Sequence, residues 1–513
     1  MRTKLEAVVI GAGIGGITTA ARLAKNGFSV TVLEKNDIPG GRCGQIVRDG
    51  HRFDIGPTLF LMPEVWQETF HALGEELDQH LQLTRIDPTY KVHFDDGLQL
   101  QLTSDIGAMQ AQLDKVDKTA FTGFLSYIAE GGKHYKVSLE KFVGRNFYTI
   151  FEYFSLANLP LLFQLKALVK HYANVSTFFK DERLKAAFTF QNMYLGLSPY
   201  DAPATYSLLQ YTELAEGVWY PQGGMYRGIQ ALTEVAEKLG VRFVYNAPVK
   251  AIHTAGKRVE NVETQDGTLY PADIFVGNAD LPYIYKELLP KNAEAERLDK
   301  KLYTCSTIMF YWAVDKKYPQ IAMHNVFLGG DYKASFDQIF EDHSLPAKPS
   351  FYVHAPARVD PAAAPDGQDT LYVLVPVGHL DPRAKQDWDA MVERARETVF
   401  TRLEKELGVA DLREHIKFEI INTPLSWKEK FNLVKGSAFG LSHNFLQVGF
   451  LRPHNRHATL KNLYFTGAST HPGTGLPIVL LSARLTTERI LKETAGLKAA
   501  AERREMVLQA TNS

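Results

Sequence analysis

One stretch, residues 6–34 (EAVVIGAGIGGITTAARLAKNGFSVTVLE), limits what this chain can fold into more than any other. Ala7-Val8-Val9-Ile10 is a short, fully apolar run, the pattern of a central parallel strand. It breaks at Gly11-Ala12-Gly13-Ile14-Gly15-Gly16, and a helical pattern follows to about Asn26-Gly27. A second β-rich run from Ser29 to Leu33 then ends on an acid, Glu34. Gly11 allows a tight turn, Gly13 lets backbone approach a pyrophosphate, and Gly16 lets helix pack on strand. The pyrophosphate would sit at the helix N-terminus, where free N–H groups and the macrodipole favour negative charge. Glu34, 18 residues after Gly16, is spaced to accept hydrogen bonds from a ribose diol. A lone GxGxxG is also what an ordinary Gly-rich turn shows. Here strand, glycines, helix, second strand and acid fall in register within 29 residues, which predicts a dinucleotide site that includes Gly15.

That motif does not separate NAD from FAD, but the residues after it do. Lys35 leads into Asn36-Asp37-Ile38-Pro39-Gly40-Gly41-Arg42, so two more glycines and a guanidinium follow the acid. A second backbone approach and a fixed cation suit the phosphates of a long cofactor lying across the sheet. Pro57 and Thr58, on a Gly-Pro turn, bring the chain back past the cofactor, and Val249 is expected against the adenine. Near the C-terminus, residues 462–476 (NLYFTGASTHPGTGL) run from strand through a tight loop into a helix beginning near Pro477. Gly467, Ala468, Pro472, Gly475 and Leu476 on that loop would place amides and a positive helix end at the pyrimidine end of a flavin.

At 513 residues the chain is long for one core, and two or three subdomains are expected. The fold class is α/β: a discontinuous Rossmann-like FAD-binding domain (1–75, 220–290 and 455–495), a mixed β-sheet substrate domain (76–140 and 291–454) and a helical, membrane-associating subdomain (141–219), followed by a polar tail (496–513). The hairpin pattern of 91–103 about Asp96-Gly97, and strand patterns near 307–314, 350–355, 370–377 and 418–422, carry the substrate sheet. A net charge of −1 gives no electrostatic case for nucleic acid. The two cysteines, Cys43 and Cys305, form no CxxC pair, which argues against a disulfide framework and a dithiol flavoenzyme and fits a reducing, cytosolic setting. The six residues before the first apolar strand leave no room for a cleavable signal peptide. No metal-ligand cluster is expected.

Residues 146–165 (NFYTIFEYFSLANLPLLFQL) hold six Phe or Tyr, six Leu or Ile and one charge, Glu152. They read either as a buried core helix pair or as a monotopic patch dipping into one leaflet, with Lys166 and Lys170 behind it. Asn158, Pro160, Gln164 and Glu152 argue against a full span.

The opening 36 residues and Gly40-Gly41-Arg42 resemble the FAD-binding start of the amine oxidase and carotenoid desaturase superfamily. The C-terminal stretch with Gly467, Pro472, Gly473 and Gly475 resembles the signature of bacterial-type phytoene dehydrogenases. The likeness extends over the whole chain, through the VWYPQGG turn at 218–224, the GNAD strand end at 277–280, GSAF at 436–439 and LRPHN at 451–455. It implies an FAD-dependent carotenoid desaturase, peripheral on the cytoplasmic side of a membrane. Such an enzyme passes a hydride from a C40 polyene such as phytoene to flavin; the sequence leaves the final acceptor, a quinone or O2, open. His471 and Asp280 are the proton-acceptor candidates by motif, each weighed against a structural role in holding the flavin loops. A relative acting on a diapocarotenoid or end-modified carotene, or a flavin-dependent carotenoid isomerase, remains an alternative. At 145–153, where relatives carry more arginines and aspartates, Asn146-Phe147-Tyr148 stand instead and leave the exact polyene open.

Overall fold

In the computed structural model, residues 4–511 are described, with side chains through 496. Strand Glu6–Ile10 lies at the centre of a five-stranded parallel sheet, with Ile274–Gly277 and then Leu463–Phe465 on one side. Ser29–Leu33 and Arg242–Val244 lie on the other. A central strand covered on both faces must be apolar throughout, and Val8, Val9 and Ile10 are all buried. Helix Ile14–Lys25 packs on one face with Tyr226–Lys238 and the long C-terminal helix Leu476–Thr511. A three-stranded antiparallel sheet, Val249–Ala255, Arg258–Thr264 and Leu269–Pro271, covers the other. The domain is therefore discontinuous, as the motifs imply. Its core takes in Leu77 and Leu81 on one side and Leu298, Val434 and Leu441 on the other, beyond the 1–75, 220–290 and 455–495 segments. The tail after 496 continues the last helix to Thr511.

The second sheet has seven strands, ordered Ile416–Asn422, Ser306–Val314, Asp369–Val377, Phe351–His354, His324–Leu328, Tyr90–Phe94 and Gln99–Leu102. It is mixed, because His324–Leu328 runs parallel to Tyr90–Phe94 while the other pairs are antiparallel. Period-two alternation divides its faces. Phe310, Trp312 and Val314 turn toward helix Trp388–Leu407, whereas Met309, Tyr311 and Ala313 turn the other way, toward the cofactor domain. Three tyrosine hydroxyls on that second face reach one crossing loop. Tyr311 donates to the Ile55 carbonyl at 2.6 Å, Tyr372 donates to Gly56 O at 2.7 Å, and Tyr352 bonds Thr58 Oγ1 at 2.8 Å.

Short helices between 106 and 216 form the third layer. Helix Ala120–Ser138 belongs to it and packs beside 171–211, so this layer starts well before residue 141. The aromatic stretch 146–165 forms neither a buried helix pair nor one long helix. It breaks into Ile150–Tyr153 and Leu159–Gln164, with Asn158 Nδ2 donating to the Glu152 and Tyr153 carbonyls between them. Phe147, Tyr153 and Leu165 turn inward, while Phe151, Leu156 and Phe163 are 81%, 88% and 78% exposed. Among the described residues no helix is long and apolar enough to cross a membrane. The segment 218–221, which the sequence marks as a turn, is a strand paired antiparallel with Leu83–Ile86.

The hydroxyl contacts from sheet to loop predict a measurable cost. Tyr311→Phe and Tyr372→Phe each leave a backbone carbonyl without its donor, and each lowers unfolding stability by about 1–3 kcal/mol. Urea unfolding checks this; an unchanged midpoint in the double variant means the loop is held by other contacts.

Candidate active site

One elongated cavity of about 850 Å³ runs between the two sheets, walled by glycines at one end and hydrocarbon at the other. At the glycine end, Gly11 sits at φ 97° and donates its N–H to Leu33 O at 2.8 Å, which closes the turn after the first strand. Helix Ile14–Lys25 then begins at Gly13 with no side-chain cap and no acid in its first turn. Its leading N–H groups are thus left for a ligand, as an anion site requires. Gly11, Gly13 and Gly15 line the cavity. Gly16 does not: a Cβ there would lie 2.1 Å from Gly11 O, so its smallness serves helix-on-strand packing.

Glu34 is buried at the end of its strand, and burial raises its carboxyl pKa. Oε2 accepts from Ala12 N–H at 2.7 Å and Oε1 from Asn36 N–H at 2.8 Å, so the acid also braces the glycine loop. A carboxylate has about four lone-pair sites, which leaves acceptor capacity for a ribose. Gly40 donates to Ala12 O at 2.7 Å, and Gly40 and Gly41 keep positive φ where they pass the first loop. Arg42 donates to Ala438 O at 2.8 Å across the cavity. Pro57, Thr58 and Val249 also line it. Lys35 lines it too, but its ammonium is tied to Glu429 O and Asn432 Oδ1 at 2.7 and 2.9 Å. Those bonds anchor the 429–432 loop and give the side chain a structural job that its position beside Glu34 does not suggest.

The C-terminal loop faces this cradle. Gly467, at φ 124°, leads through Ala468 to His471-Pro472, Gly475 and Leu476, all on the cavity wall. A Cβ on Gly475 would meet only Ile478 at 3.7 Å, so backbone here is bare toward the cavity. The residue that joins both loops is Asn278. Cβ atoms added at Gly13, Gly15, Gly16 and Gly467 would come within 2.8, 2.8, 2.9 and 3.1 Å of its amide. Its Nδ2 donates to Thr466 O at 3.1 Å. Within GNAD, the signal for Asn278 in the sequence is a polar residue just after a fully buried strand.

The two proton-acceptor candidates are both on the cavity wall, and both are engaged. Asp280 accepts from Ser469 Oγ at 2.7 Å and from Val434 N–H at 3.2 Å, and burial raises its pKa against the pull of Arg42. His471 Nε2 donates to Arg145 O at 2.9 Å, and burial pulls the ring's pKa down to about 4, so it is neutral near pH 7. Both side chains tie loops together at the cofactor end. Beyond them the cavity is hydrocarbon and aromatic, with Met309, Leu374, Phe190, Leu328, Leu209 and Leu162 on its walls.

A glycine-framed, uncapped helix start, a brace acid and a bare second loop at the far wall fit a dinucleotide flavin, and the two-sheet architecture is that of flavoprotein oxidoreductases. Comparisons agree. The sequence profile of the flavin containing amine oxidoreductases matches residues 14–491. A zeta-carotene-forming phytoene desaturase of Myxococcus xanthus is 49% identical over 94% of this chain and 93% of its own length. A phytoene desaturase of Phycomyces blakesleeanus is 46% identical over 94% of this chain and 84% of its own. Among solved structures, an oxidoreductase of Methanosarcina mazei superposes with a TM-score of 0.64 at 17% identity, over 94% of this chain and 100% of that one, which bears on fold alone. The chain belongs to the flavin containing amine oxidoreductase family, and within it to the phytoene desaturase group. It is an FAD-dependent oxidoreductase.

Two substitutions grade the cradle. Gly13→Val drives a branched side chain against Asn278 Oδ1 and into the phosphate path, and abolishes FAD retention on gel filtration. Glu34→Gln keeps the shape but loses a charge-assisted acceptor, and weakens FAD binding by about 1.5–3 kcal/mol in a fluorescence titration. Equal FAD affinity in both variants and the wild type contradicts the assignment.

Proposed function

We propose that the protein dehydrogenates phytoene or a related linear carotene, taking two hydrogens from a saturated C–C bond flanked by alkenes. The observation that carries this reading is the continuity of the cavity: the flavin cradle opens directly onto a wall of aliphatic and aromatic side chains. Bound FAD supplies the two-electron acceptor. The protein's part is positional. Sheet residues such as Met309 and Leu374 bind and orient a hydrocarbon along a largely apolar wall. Phytoene carries no acidic group, and the two candidates that the motifs single out, Asp280 and His471, are held in loop-bracing bonds. In this reading the second hydrogen leaves as a proton without a dedicated side-chain base. A quinone, or O2, is the proposed final acceptor.

A C40 hydrocarbon is nearly insoluble in water, so its entrance should open toward a bilayer. The exposed Phe151, Leu156, Phe163 and Leu168 belong to the same short segment as Leu162 and Leu165, which line the cavity. This supports a monotopic patch that docks on a membrane surface, for which the cytoplasmic face is our proposal. The lysines behind it contribute less charge than their spacing suggests. Lys166 bonds Glu130 at 2.5 Å and Asn174 at 2.7 Å, and Lys170 lies 3.5 Å from an Asp201 carboxylate oxygen. Docking by this surface is mainly apolar.

FAD-loaded protein mixed with phytoene liposomes under argon tests the chemistry. Flavin absorbance bleaches while longer-wavelength polyene bands rise in proportion, and a quinone added afterwards restores the flavin. Polyene spectra that change geometry without gaining conjugation contradict it in favour of an isomerase. For the surface, the triple change of Phe151, Leu156 and Phe163 to Ser reduces liposome flotation several-fold with the flavin spectrum intact. Unchanged flotation moves the docking surface elsewhere.

A further inference from the structure

The LRPHN stretch supplies a cation that the cradle does not explain. Arg452 is 1% exposed, and every hydrogen bond recorded for its guanidinium goes to a backbone carbonyl. It donates to Thr470 O, Ser442 O and Gln447 O, each at 3.0 Å, to Leu441 O at 3.3 Å, and to Ala468 O. No carboxylate lies within ion-pair distance of it among the described residues. A buried charge is costly unless its surroundings answer it, and removing such a group from an enclosed site is felt strongly. Carbonyl dipoles solvate the guanidinium but do not cancel its charge. Two of those carbonyls, Ala468 and Thr470, belong to the loop that lines the flavin end of the cavity.

The groups around it leave a positive excess. Arg42 and Arg452 both feel one carboxylate, Asp280, which is also bonded by Ser469 and Val434. His443 lines the cavity beside the loop, and its Nε2 accepts from Thr474 N–H at 3.1 Å. Burial and Arg452 press the His443 pKa well below the ordinary histidine value, and His471 is likewise neutral, so neither adds charge at pH 7. Tyr206 is un-ionised at that pH, and Lys301, whose pKa burial and nearby arginines lower, brings no negative charge.

We propose that Arg452 is the electrostatic positioning residue of the flavin, a fixed cation behind the 467–475 loop that selects the anionic form of the reduced cofactor and so raises its reduction potential. The atom balance shows why this matters. The bond that becomes an alkene gives up one hydrogen with its electron pair to the flavin and the other as a proton to solvent. By that balance bound FAD would take up two electrons and one proton and carry a negative charge when reduced. Arg452 acts through the loop without touching substrate, and its charge is present before the reaction and needs no rearrangement.

The test is a dye-equilibrated redox titration of the FAD-loaded protein, which reads Arg452 whether or not phytoene is the substrate. Arg452→Gln removes the charge and keeps amide donors; it lowers the equilibrium constant for two-electron reduction at least tenfold, a fall of about 30 mV. Arg452→Lys keeps a charge, loses most of the carbonyl bonds, and stays within threefold of the wild type even where stability drops. Potentials equal to the wild type in R452Q, with stability lost in both variants, overturn the proposal and leave a loop clamp. If R452Q does not hold FAD, the wild-type midpoint against pH decides. A slope of roughly 30 mV per pH unit down to about pH 6, one proton per two electrons, supports the anion, and twice that slope overturns it.

Discussion

The structure turns on the close approach of one amide. Asn278 follows the last residue of a fully buried strand, and its side chain occupies the space that Cβ atoms on Gly13, Gly15, Gly16 and Gly467 would need. Four glycines from two ends of the chain share one reason to be small, and Gly13, Gly15 and Gly467 also face the cavity. The strands that lead into these glycines and Asn278, Glu6–Ile10, Ile274–Gly277 and Leu463–Phe465, are neighbours in one parallel sheet, so the contact is built by strand order. Segments more than 180 residues apart are thereby set in register around one cavity before any cofactor is considered.

The same cavity needs its second wall at a fixed distance, and the crossing loop 55–58 supplies that. Gly56 and its neighbours are bonded from the substrate sheet by Tyr311, Tyr372 and Tyr352, one from each of three adjacent strands. Oxidation of an unactivated hydrocarbon depends on holding a C–H bond against the acceptor, since there is no polar handle to pull on. Rigid elements on both sides, with aromatic hydroxyls turned into the loop and away from the hydrocarbon, suit that demand. The charged Arg42 and Asp280 line the flavin end, with Arg452 behind its loop.

Much of the cofactor domain was legible because its signals are local. Strand, glycine turn, helix, second strand and Glu34 follow one another in a single stretch, and the structure reproduces them within a residue or two. The 467–475 loop was legible for a similar reason, through the spacing of its glycines and prolines. What depends on distant partners was not. Strand His324–Leu328 is five residues long and fully buried, with His and Asn at its start, so no alternation marks it. The aromatic run at 146–165 has one composition but two orientations, and only packing against Phe142 separates the inward Phe147 and Tyr153 from the outward Phe151. The motifs offer Asp280 and His471 as proton-acceptor candidates weighed against a role in holding the flavin loops, and the bonds that engage them come from distant Ser469, Val434 and Arg145.

The central claim is that cofactor and hydrocarbon share one cavity between the two sheets. A crystal structure of the protein with FAD and a fully conjugated linear carotene bound tests it most directly. The account predicts the pyrophosphate at the start of helix Ile14–Lys25, the flavin ring against the 467–475 loop, and the polyene along Met309 and Leu374. A polyene bound on the outer surface, or a flavin placed away from both glycine loops, contradicts it.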